Sequence, residues 1–326
     1  MTPIARRDLG VISVTCTAPA KLNLTLAVVG RRSDGYHALH SVMAPLDFGD
    51  ELTVSASDGP FDGLEIEGAD LPVSADNLVL RGIAAARAEV LAVGGVPAPA
   101  LDAMLAKRIP VAAGLAGGSS DAAAAIAASI DAWQATISRD RAIAVAASVG
   151  SDVPFFFAGG IALVTGRGES VEPLPHLRGP QPAVLLVTPG LRISTPAVFS
   201  AYAAGARPLD HARARAVSES LASALRRGLT ADGLLARAAE LATANDLLPA
   251  ARVVAPELAA FHDALADLLG RPVGQSGSGP TLWALYESMG EAEAAAHSVE
   301  GAIASGDLPF VGSGPAFVVA TSVTAG

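Results

Sequence analysis

A glycine-rich segment between a short strand pattern and an alanine-rich helix pattern constrains this chain more than any other part of the sequence. The segment is Pro110-Val111-Ala112-Ala113-Gly114-Leu115-Ala116-Gly117-Gly118-Ser119-Ser120, and helical spacing continues over 121–133. Glycine allows positive backbone φ angles and a close approach to a ligand. The helix that follows presents unpaired N–H groups and the positive end of its dipole. The order strand, loop, helix therefore predicts a phosphate-binding loop.

Two common nucleotide-binding motifs are excluded for this loop. No Gly-Lys-Ser/Thr follows it, so it is not a Walker A motif. The Gly-x-Gly-x-x-Gly spacing of dinucleotide-binding folds is absent here and at Gly277-Ser278-Gly279. Ser119 and Ser120 can cap the helix, donate hydroxyls to phosphate or contact a metal ion. A flexible glycine turn with an N-cap is the alternative that needs no ligand.

Periodicity along the rest of the chain predicts an α+β protein. At 326 residues the chain favours two domains, and the polar, proline-containing stretch 178–181 suits a junction. We therefore predict domains at 1–178 and 179–326. The pattern predicts strands at 12–16, 22–28, 41–54 with a turn at Gly49-Asp50, 104–109, 159–164, 184–187, 282–286 and 316–322. It predicts helices at 77–92 with Asp76 as the cap, 121–133, 139–149, 197–204, 212–227, 231–244 and 256–269.

Composition excludes several classes of protein. The hydrophobic fraction is 51%, but much of it is alanine, and the apolar run at 122–130 ends at Asp131, so no membrane span is expected. The N-terminus has no apolar signal core. The single cysteine, Cys16, cannot form an internal disulfide. A net charge of −10 disfavours nucleic acid as a partner. We expect a soluble, cytoplasmic protein that acts on a small molecule and is a monomer or a homodimer.

Three ordered motifs resemble those of the GHMP kinase family. Residues 110–120 resemble the second motif, Pro-x3-Gly-Leu-Gly/Ala-x-(x)-Ser-Ser. Ala18-Pro19-Ala20-Lys21-Leu22-Asn23-Leu24 resembles the first, and Gly274-Gln275-Ser276-Gly277-Ser278-Gly279-Pro280-Thr281 the third. The resemblance implies a two-domain GHMP kinase fold, with an N-terminal nucleotide-binding α/β domain, a C-terminal substrate-side α+β domain and the site in the cleft between them. It also implies ATP as the phosphate donor.

Three shorter segments resemble one branch of that family. They are Asp34-Gly35-Tyr36-His37, Gly150-Ser151-Asp152-Val153-Pro154-Phe155 and Thr195-Pro196-Ala197-Val198-Phe199. The branch acts on 4-diphosphocytidyl-2-C-methyl-D-erythritol, and the resemblance implies ATP-dependent phosphorylation of its 2-hydroxyl in the non-mevalonate route to isoprenoid precursors. The alternatives are another GHMP kinase, acting on mevalonate, homoserine or a sugar, and a non-catalytic nucleotide-binding protein of the same fold. The latter would be expected to have lost Lys21 and Asp152.

The resemblance makes Asp152 and Lys21 catalytic. Without it, Asp152 before a proline could simply cap or turn the chain, and Lys21 on a strand could be a solvated edge residue. In the family the aspartate accepts the proton of the acceptor hydroxyl, and the lysine beside it keeps the carboxylate ionised and draws on the reacting oxygens. Asn23 shares a strand face with Lys21 by the period of two, which suits substrate binding or a buried structural role.

The resemblance also implies the binding residues. The ATP contacts would be Asn77, Pro110, Ala113, Gly114, Leu115, Ala116, Gly117, Gly118, Ser119 and Ser120, of which Asn77 is also explained as a helix cap. Gly277, Ser278 and Gly279 would help to hold the substrates, although a tight turn explains them too. Mg²⁺ is expected because phosphoryl transfer needs a cation, but no acidic cluster identifies its ligands.

A cytosine pocket is the last expectation from the resemblance. Tyr36 would stack on the base, His37 would read its polar edge, Phe199 would stack on the other face and Thr195 would form a hydrogen bond nearby. From the residues alone, Tyr36 and His37 after a glycine turn are also typical of an exposed domain rim.

Overall fold

A computed structural model of the chain describes residues 11–94, 96–208, 210, 212–309 and 312–324. The strands in these ranges are β1 (Val14–Asn23), β2 (Ala27–Arg31), β3 (His37–Ala56), β4 (Gly63–Glu67), β5 (Leu101–Ala106), β6 (Ala162–Gly166), β7 (Ser170–Pro173), β8 (Ala183–Thr188), β9 (Gly274–Gln275), β10 (Leu282–Tyr286) and β11 (Phe317–Ser322). The α-helices are α1 (Leu78–Val93), α2 (Gly117–Ala132), α3 (Arg139–Val149), α4 (Thr195–Ala203), α5 (Arg213–Arg226), α6 (Ala231–Leu235), α7 (Ala238–Ala242), α8 (Leu248–Val254), α9 (Pro256–Leu269) and α10 (Met289–Ser305), and Val153–Phe157 forms a 3-10 helix.

The chain divides into two compact units that interleave along the sequence. The first unit comprises residues 1–18, 49–108 and 117–157, and the second comprises 19–48, 109–116 and 158–326. Strand β1 begins in the first unit and ends in the second, whereas β3 does the reverse. These units do not follow the predicted boundary between residues 178 and 179, because the division reflects contacts in space rather than position in the sequence. The two contiguous domains stay a prediction.

In the first unit, a sheet is covered by helices rich in alanine. Strand β5 pairs in parallel with β4 and antiparallel with the C-terminal part of β3. Helix α2 is buried at every position from Ser120 to Ile126. Alanine permits this because its small side chain lets backbones approach closely: a Cβ added to Gly82 on α1 would lie 2.9 Å from the carbonyl oxygen of Ala122. The high hydrophobic fraction thus forms helix contacts within the unit.

Over the ranges that the structure describes, two sheets contribute strands to the second unit, and one of them is the seven-stranded sheet that also contains β4 and β5. In one, the N-terminal part of β3 pairs with β2 and with β6, and β6 pairs with β7. The other is antiparallel, in the order β11-β8-β10-β9. All residues of β8 and β10 are buried, and β10 contributes Trp283 to one apolar cluster and Tyr286 to another. Among the described residues, no helix is both long and apolar enough to span a bilayer.

The α+β class is confirmed, and several local predictions need correction. The strands predicted at 12–16 and 22–28 are not separated at Pro19, because β1 runs without a break from Val14 to Asn23 and the next strand begins at Ala27. Strand β3 continues through the predicted turn at Gly49-Asp50. Helix α1 is capped by Asn77, whose Oδ1 accepts a hydrogen bond from the Val79 N–H, and not by Asp76. The helix predicted at 231–244 is two short helices, α6 and α7. Helix α10 was not predicted.

Candidate active site

Three sequence motifs meet around the Lys21 ammonium in the second unit. The Lys21 Nζ donates hydrogen bonds to Asn23 Oδ1 at 2.6 Å and to the carbonyl oxygen of Gly114 at 2.5 Å. The Ser276 hydroxyl donates to the same carbonyl at 3.0 Å and accepts from the Asn23 N–H at 3.2 Å. Lys21, Asn23 and Ser276 are buried. The Lys21 ammonium of the first motif is therefore linked by hydrogen bonds to residues of the second and third motifs.

The Asn23 amide is oriented by a further set of hydrogen bonds. Its Nδ2 donates to the Ser41 hydroxyl at 2.9 Å, which leaves Oδ1 free to face the ammonium. The Ser41 hydroxyl in turn donates to the carbonyl oxygen of Thr25. Asn23 thus contacts Lys21 from the same strand, and its binding of substrate stays a prediction. Neither Ser41 nor Ser276 was selected from the sequence, because a serine in a strand or turn carries no pattern of its own.

The glycine-rich loop is pinned to the rest of the second unit by its backbone. The carbonyl oxygen of Leu115 accepts a hydrogen bond from the Lys21 N–H at 3.1 Å, and that of Ala113 accepts from the Thr281 N–H at 3.2 Å. Positive φ angles occur at Ala112, Gly114 and Ala116. At Gly114 a side chain is also excluded by space, because an added Cβ would overlap the carbonyl oxygen of Ser276. Pro110, before the loop, is half-buried.

The loop at 276–279 is held by a residue that the sequence analysis missed. Asn245 is buried, and its Nδ2 donates to the carbonyl oxygens of Gln275 and Gly277, each at 2.9 Å. Gly277 and Gly279 have φ angles of +58° and +83°. The Ser278 hydroxyl lies 2.8 Å from that of Thr195, so the predicted Thr195 and Ser278 contact each other.

The start of helix α2 belongs to the first unit. Gly118 is exposed, Gly117 and Ser119 are half-buried, and Ser120 is fully buried. Among the described residues, the Ser120 hydroxyl has no hydrogen-bond partner. Asn77, another predicted ATP contact, donates its Nδ2 to the carbonyl oxygen of Pro72 while Oδ1 caps α1, so both ends of its amide have protein partners.

A buried ion cluster lies next to this helix start. The Lys107 ammonium donates to Asp50 Oδ2 and to Asp121 Oδ2, the latter at 2.7 Å, and all three side chains are at most 5% exposed. The Arg108 N–H donates to the other Asp50 oxygen. Burial raises the pKa of the Asp121 carboxyl to about 7, and the Asp50 charge also raises it whereas Lys107 lowers it. Because Lys107 and the Arg108 N–H satisfy its carboxylate, Asp50 can lie buried inside β3.

Asp152 lies where the chain leaves helix α3. It follows the helix end at Gly150 and immediately precedes the 3-10 helix, whose Phe155 N–H donates to the Asp152 carbonyl oxygen at 3.3 Å. Its side chain is half-buried. Asp152 belongs to the first unit, whereas Lys21 belongs to the second.

The predicted cytosine residues Tyr36, His37, Thr195 and Phe199 belong to the second unit. Tyr36 is 58% exposed. His37 stacks on Phe199 with ring centroids 5.2 Å apart and an interplanar angle of 21°, and it meets Tyr202 edge-on at 5.8 Å. Phe199 therefore already has one ring face on His37. Burial lowers the pKa of His37, and the positive charges of Arg31 and Arg207 lower it further.

Comparison with known proteins identifies relatives along most of the chain. A protein from Pelotomaculum thermopropionicum named 4-diphosphocytidyl-2-C-methyl-D-erythritol kinase is 38% identical over 280 residues, which cover 85% of this chain and 90% of that protein. A protein of the same name from Salinispora arenicola is 41% identical over 285 residues, 84% of each chain. This chain belongs to the 4-diphosphocytidyl-2-C-methyl-D-erythritol kinase family.

Two further comparisons agree with this family. A model of the GHMP kinases N terminal domain matches residues 77–160. A crystal structure of 4-(cytidine 5'-diphospho)-2C-methyl-D-erythritol kinase superposes with a TM-score of 0.68 and 30% identity, covering 95% of this chain and 99% of that one. The expected GHMP kinase fold is thereby confirmed. Within the kinase family, the structure brings Lys21, Asn23, Gly114 and the 276–279 loop together in the second unit.

Proposed function

We propose that this protein transfers the γ-phosphoryl group of ATP to the 2-hydroxyl of 4-diphosphocytidyl-2-C-methyl-D-erythritol, in the non-mevalonate route to isoprenoid precursors. The observation that carries the proposal is the identity of 38% and 41% to relatives of that name over more than four-fifths of this chain. The hydrogen-bonded meeting of all three motifs at Lys21 supports it, because an enzyme of this family needs that lysine in place. ATP is the phosphate donor.

The segment 114–120 is the proposed site of the ATP phosphates. The 16-residue helix α2 begins within it, so its first N–H groups and the positive end of its dipole are available to an anion. The backbone before the helix is held by the hydrogen bonds at Ala113 and Leu115. Such a loop binds phosphate through N–H groups, which explains how an acidic protein holds a nucleotide. Gly277, Ser278 and Gly279 support the substrates from the third motif.

Asp152 is the proposed general base. Its carboxylate would accept the proton of the 2-hydroxyl while the hydroxyl oxygen bonds to the γ-phosphorus and the bond from that phosphorus to the β-phosphate oxygen breaks, which releases ADP. Lys21 would stabilise the negative charge that develops on the transferring oxygens. Its ammonium is already oriented by Asn23 and Gly114, so little reorganisation is needed.

Mg²⁺ belongs to the same proposal, and the residues present fit it. Among the described residues, no group of three His, Cys, Asp or Glu side chains could hold a metal ion. Kinases need no such group, because Mg²⁺ keeps several waters and binds mainly through one or two protein ligands and the phosphates. Ser119 and the buried Ser120 hydroxyl, which has no hydrogen-bond partner in the described part of the chain, would hold it. When bound, the ion neutralises charge on the phosphates.

The nucleobase end of the substrate is proposed to bind at Tyr36 and His37. The lowered pKa of His37 keeps its ring neutral near pH 7, with one nitrogen as donor and the other as acceptor, which suits the mixed edge of cytosine. Phe199 would stack on the face of the base opposite Tyr36. One ring face of Phe199 lies on His37, with ring centroids 5.2 Å apart, so the base would use the other face. Thr195, whose hydroxyl lies 2.8 Å from that of Ser278, would form a hydrogen bond nearby.

Formation of ADP by the purified protein tests the function. We expect ADP with 4-diphosphocytidyl-2-C-methyl-D-erythritol, and none with mevalonate, homoserine or galactose. Activity on one of the last three without activity on the first would reject the proposal. A cytoplasmic location is part of the proposal, because ATP is supplied there.

Two variants test the mechanism. Asp152→Ala should lower kcat by a factor of about 10²–10⁴ with an unchanged circular dichroism spectrum. Asp140→Ala, at an exposed aspartate in the first turn of α3, is the matched control and should keep normal turnover. Near-normal turnover of the Asp152 variant would show that another group takes the proton.

A further inference from the structure

Two hairpin loops lie side by side at the start of strand β3. The first, residues 32–36, joins β2 to β3, and the second, residues 167–169, joins β6 to β7. Their positions follow from strand register, because His37 pairs with Arg31 on one side of β3 and Leu39 pairs with Gly166 on the other. Side chains from the two loops can therefore meet, although the loops are more than 130 residues apart in sequence.

The two loops are joined by an ion pair and by a cation over an aromatic ring. Arg32 Nη1 lies 3.4 Å from Glu169 Oε1. The guanidinium carbon of Arg167 lies 5.6 Å from the centroid of the Tyr36 ring, within the range of a cation–π contact. Glu169 also accepts a hydrogen bond from the Arg167 N–H at 2.6 Å. Arg167 is thus fixed at its backbone while its side chain covers Tyr36.

The Tyr36 loop is itself ordered by local hydrogen bonds. The Arg32 N–H donates to the Tyr36 carbonyl oxygen at 2.8 Å, and the Tyr36 N–H donates to Asp34 Oδ1 at 3.1 Å. Gly35 has a φ of +87°, which glycine adopts without strain. These contacts set the backbone of Tyr36 but not the direction of its ring, since the ring is largely exposed. A side chain packed on one face of the Tyr36 ring would fix the direction of that ring.

We propose that Arg167 is a positioning residue for the nucleobase: its guanidinium covers one face of the Tyr36 ring and so presents the opposite face to the base. The identity of that base as cytosine rests on the proposed function. The planar guanidinium stacks on aromatic faces, which an ammonium cannot do. Arg31 and Arg207 add positive charge around the neighbouring His37, in a protein of net charge −10, and this favours a ligand that carries a diphosphate.

Titration calorimetry with CDP, in the presence of saturating ADP, tests this assignment without turnover. Arg167→Ala should raise the Kd for CDP about two- to fivefold, which is the range for a cation–π contact at an exposed site. Arg167→Lys should raise the Kd for CDP to a similar extent, because an ammonium carries the charge but cannot stack on the ring as a guanidinium does. The Kd for ADP should not change in either variant. An unchanged or lowered Kd for CDP in Arg167→Ala would overturn the proposal, as would full affinity in Arg167→Lys.

Arg271→Ala is the matched control. Its guanidinium carbon lies 3.9 Å from the ring centroid of Tyr286, which is buried, so the variant removes the same kind of contact from a ring that no ligand reaches. It should leave the Kd for CDP unchanged. If the unmodified protein binds CDP with this dependence on Arg167 but phosphorylates none of the tested alcohols, the proposed function fails and the assignment of Arg167 stands. If the protein does not bind CDP, the assignment fails.

Discussion

The ammonium of Lys21 donates a hydrogen bond to the carbonyl oxygen of Gly114, 93 residues further along the chain. The chain contains two lysines, Lys21 and Lys107, among 22 basic residues, and both are buried in hydrogen-bonded clusters. An ammonium is a compact charge with three donors, whereas a guanidinium is a planar fork. We infer that these two positions require the compact cation, since arginine serves wherever the shape is not critical.

Any replacement of Lys21, including arginine, should therefore lower turnover. We expect Lys21→Met to lower kcat by a factor of about 10²–10³, the usual cost of losing one group that stabilises a transition-state charge. Lys21→Arg should not restore turnover, because the longer, planar guanidinium would have to fit the buried space in which the compact ammonium lies 2.6 Å from Asn23 Oδ1 and 2.5 Å from the Gly114 carbonyl oxygen. The measurement is kcat with the CDP-linked substrate, beside the thermal midpoint as a check on folding. Wild-type turnover in Lys21→Arg would contradict the requirement for a compact cation.

Two glycines of the phosphate loop should respond differently to alanine. At Gly114 the φ of +81° and the overlap with the Ser276 carbonyl oxygen should lower the free energy of unfolding by about 2 kcal/mol or more. At Gly118 an added Cβ meets only Leu78 Cδ1 at 3.4 Å, and alanine favours a helix, so the change should be below about 0.5 kcal/mol or stabilising. Urea unfolding of Gly114→Ala and Gly118→Ala measures both. Equal losses would show that the loop tolerates a side chain at Gly114.

The buried lysine of the first unit should matter more for stability than a surface arginine. Lys107→Met leaves Asp50 and Asp121 without the cation that they share, which should cost about 3–5 kcal/mol of unfolding free energy. Arg215→Met removes the exposed ion pair with Glu219 and should have a much smaller effect, because solvent screens an exposed ion pair.

A double variant separates the effect of lost charge from the effect of lost packing at Lys107. Adding Asp121→Asn to Lys107→Met removes one uncompensated carboxylate, so part of the lost stability should return. These free energies can be obtained from urea unfolding at pH 7.5. A cost for Lys107→Met no greater than that of Arg215→Met would mean that the cluster contributes little.

His262 should make the protein less stable in mild acid. Its Nε2 lies 2.8 Å from the carbonyl oxygen of Val273, and Arg252 contacts its Nδ1, so the neutral ring donates at one nitrogen and accepts at the other. Burial lowers the pKa of His262; the Val273 carbonyl and the Asp263 charge raise it, and Arg252 lowers it. As the pH falls below about 6.5, the unfolded chain takes up a proton before the folded one, and folding stability falls.

Comparing the unfolding free energy of the wild type with that of His262→Gln isolates the contribution of His262 to the pH dependence. The variant lacks the titration, so the unfolding free energy of the wild type minus that of the variant should decrease from pH 7.5 to pH 5.5. Each unit by which the folded pKa lies below its usual value corresponds to about 1.4 kcal/mol. A difference that stays constant over this range would show that the folded protein admits the proton at no cost.

Local patterns predicted much of the fold, and the failures have local causes. Strand β3 runs through Gly49 and Asp50 because the Asp50 carboxylate finds Lys107 and the Arg108 N–H, partners that a turn prediction cannot see. The sequence carries a start signal for helix α10: Ser288 and Glu291 have the spacing of a capping box, and the Ser288 hydroxyl accepts a hydrogen bond from the Glu291 N–H.

The features of the candidate site also fall into two groups, those that local sequence predicts and those that depend on the fold. The loop that leads into α2 and the shared strand face of Lys21 and Asn23 can be predicted from sequence alone, because they depend on neighbours within a few residues, and the order of the three motifs is read directly from the chain. The contact of Lys21 with the Gly114 carbonyl oxygen, the stacking of His37 on Phe199 and the position of Arg167 over Tyr36 depend on the folded chain. Those pairs are far apart in the sequence, and only strand register and core packing bring them together.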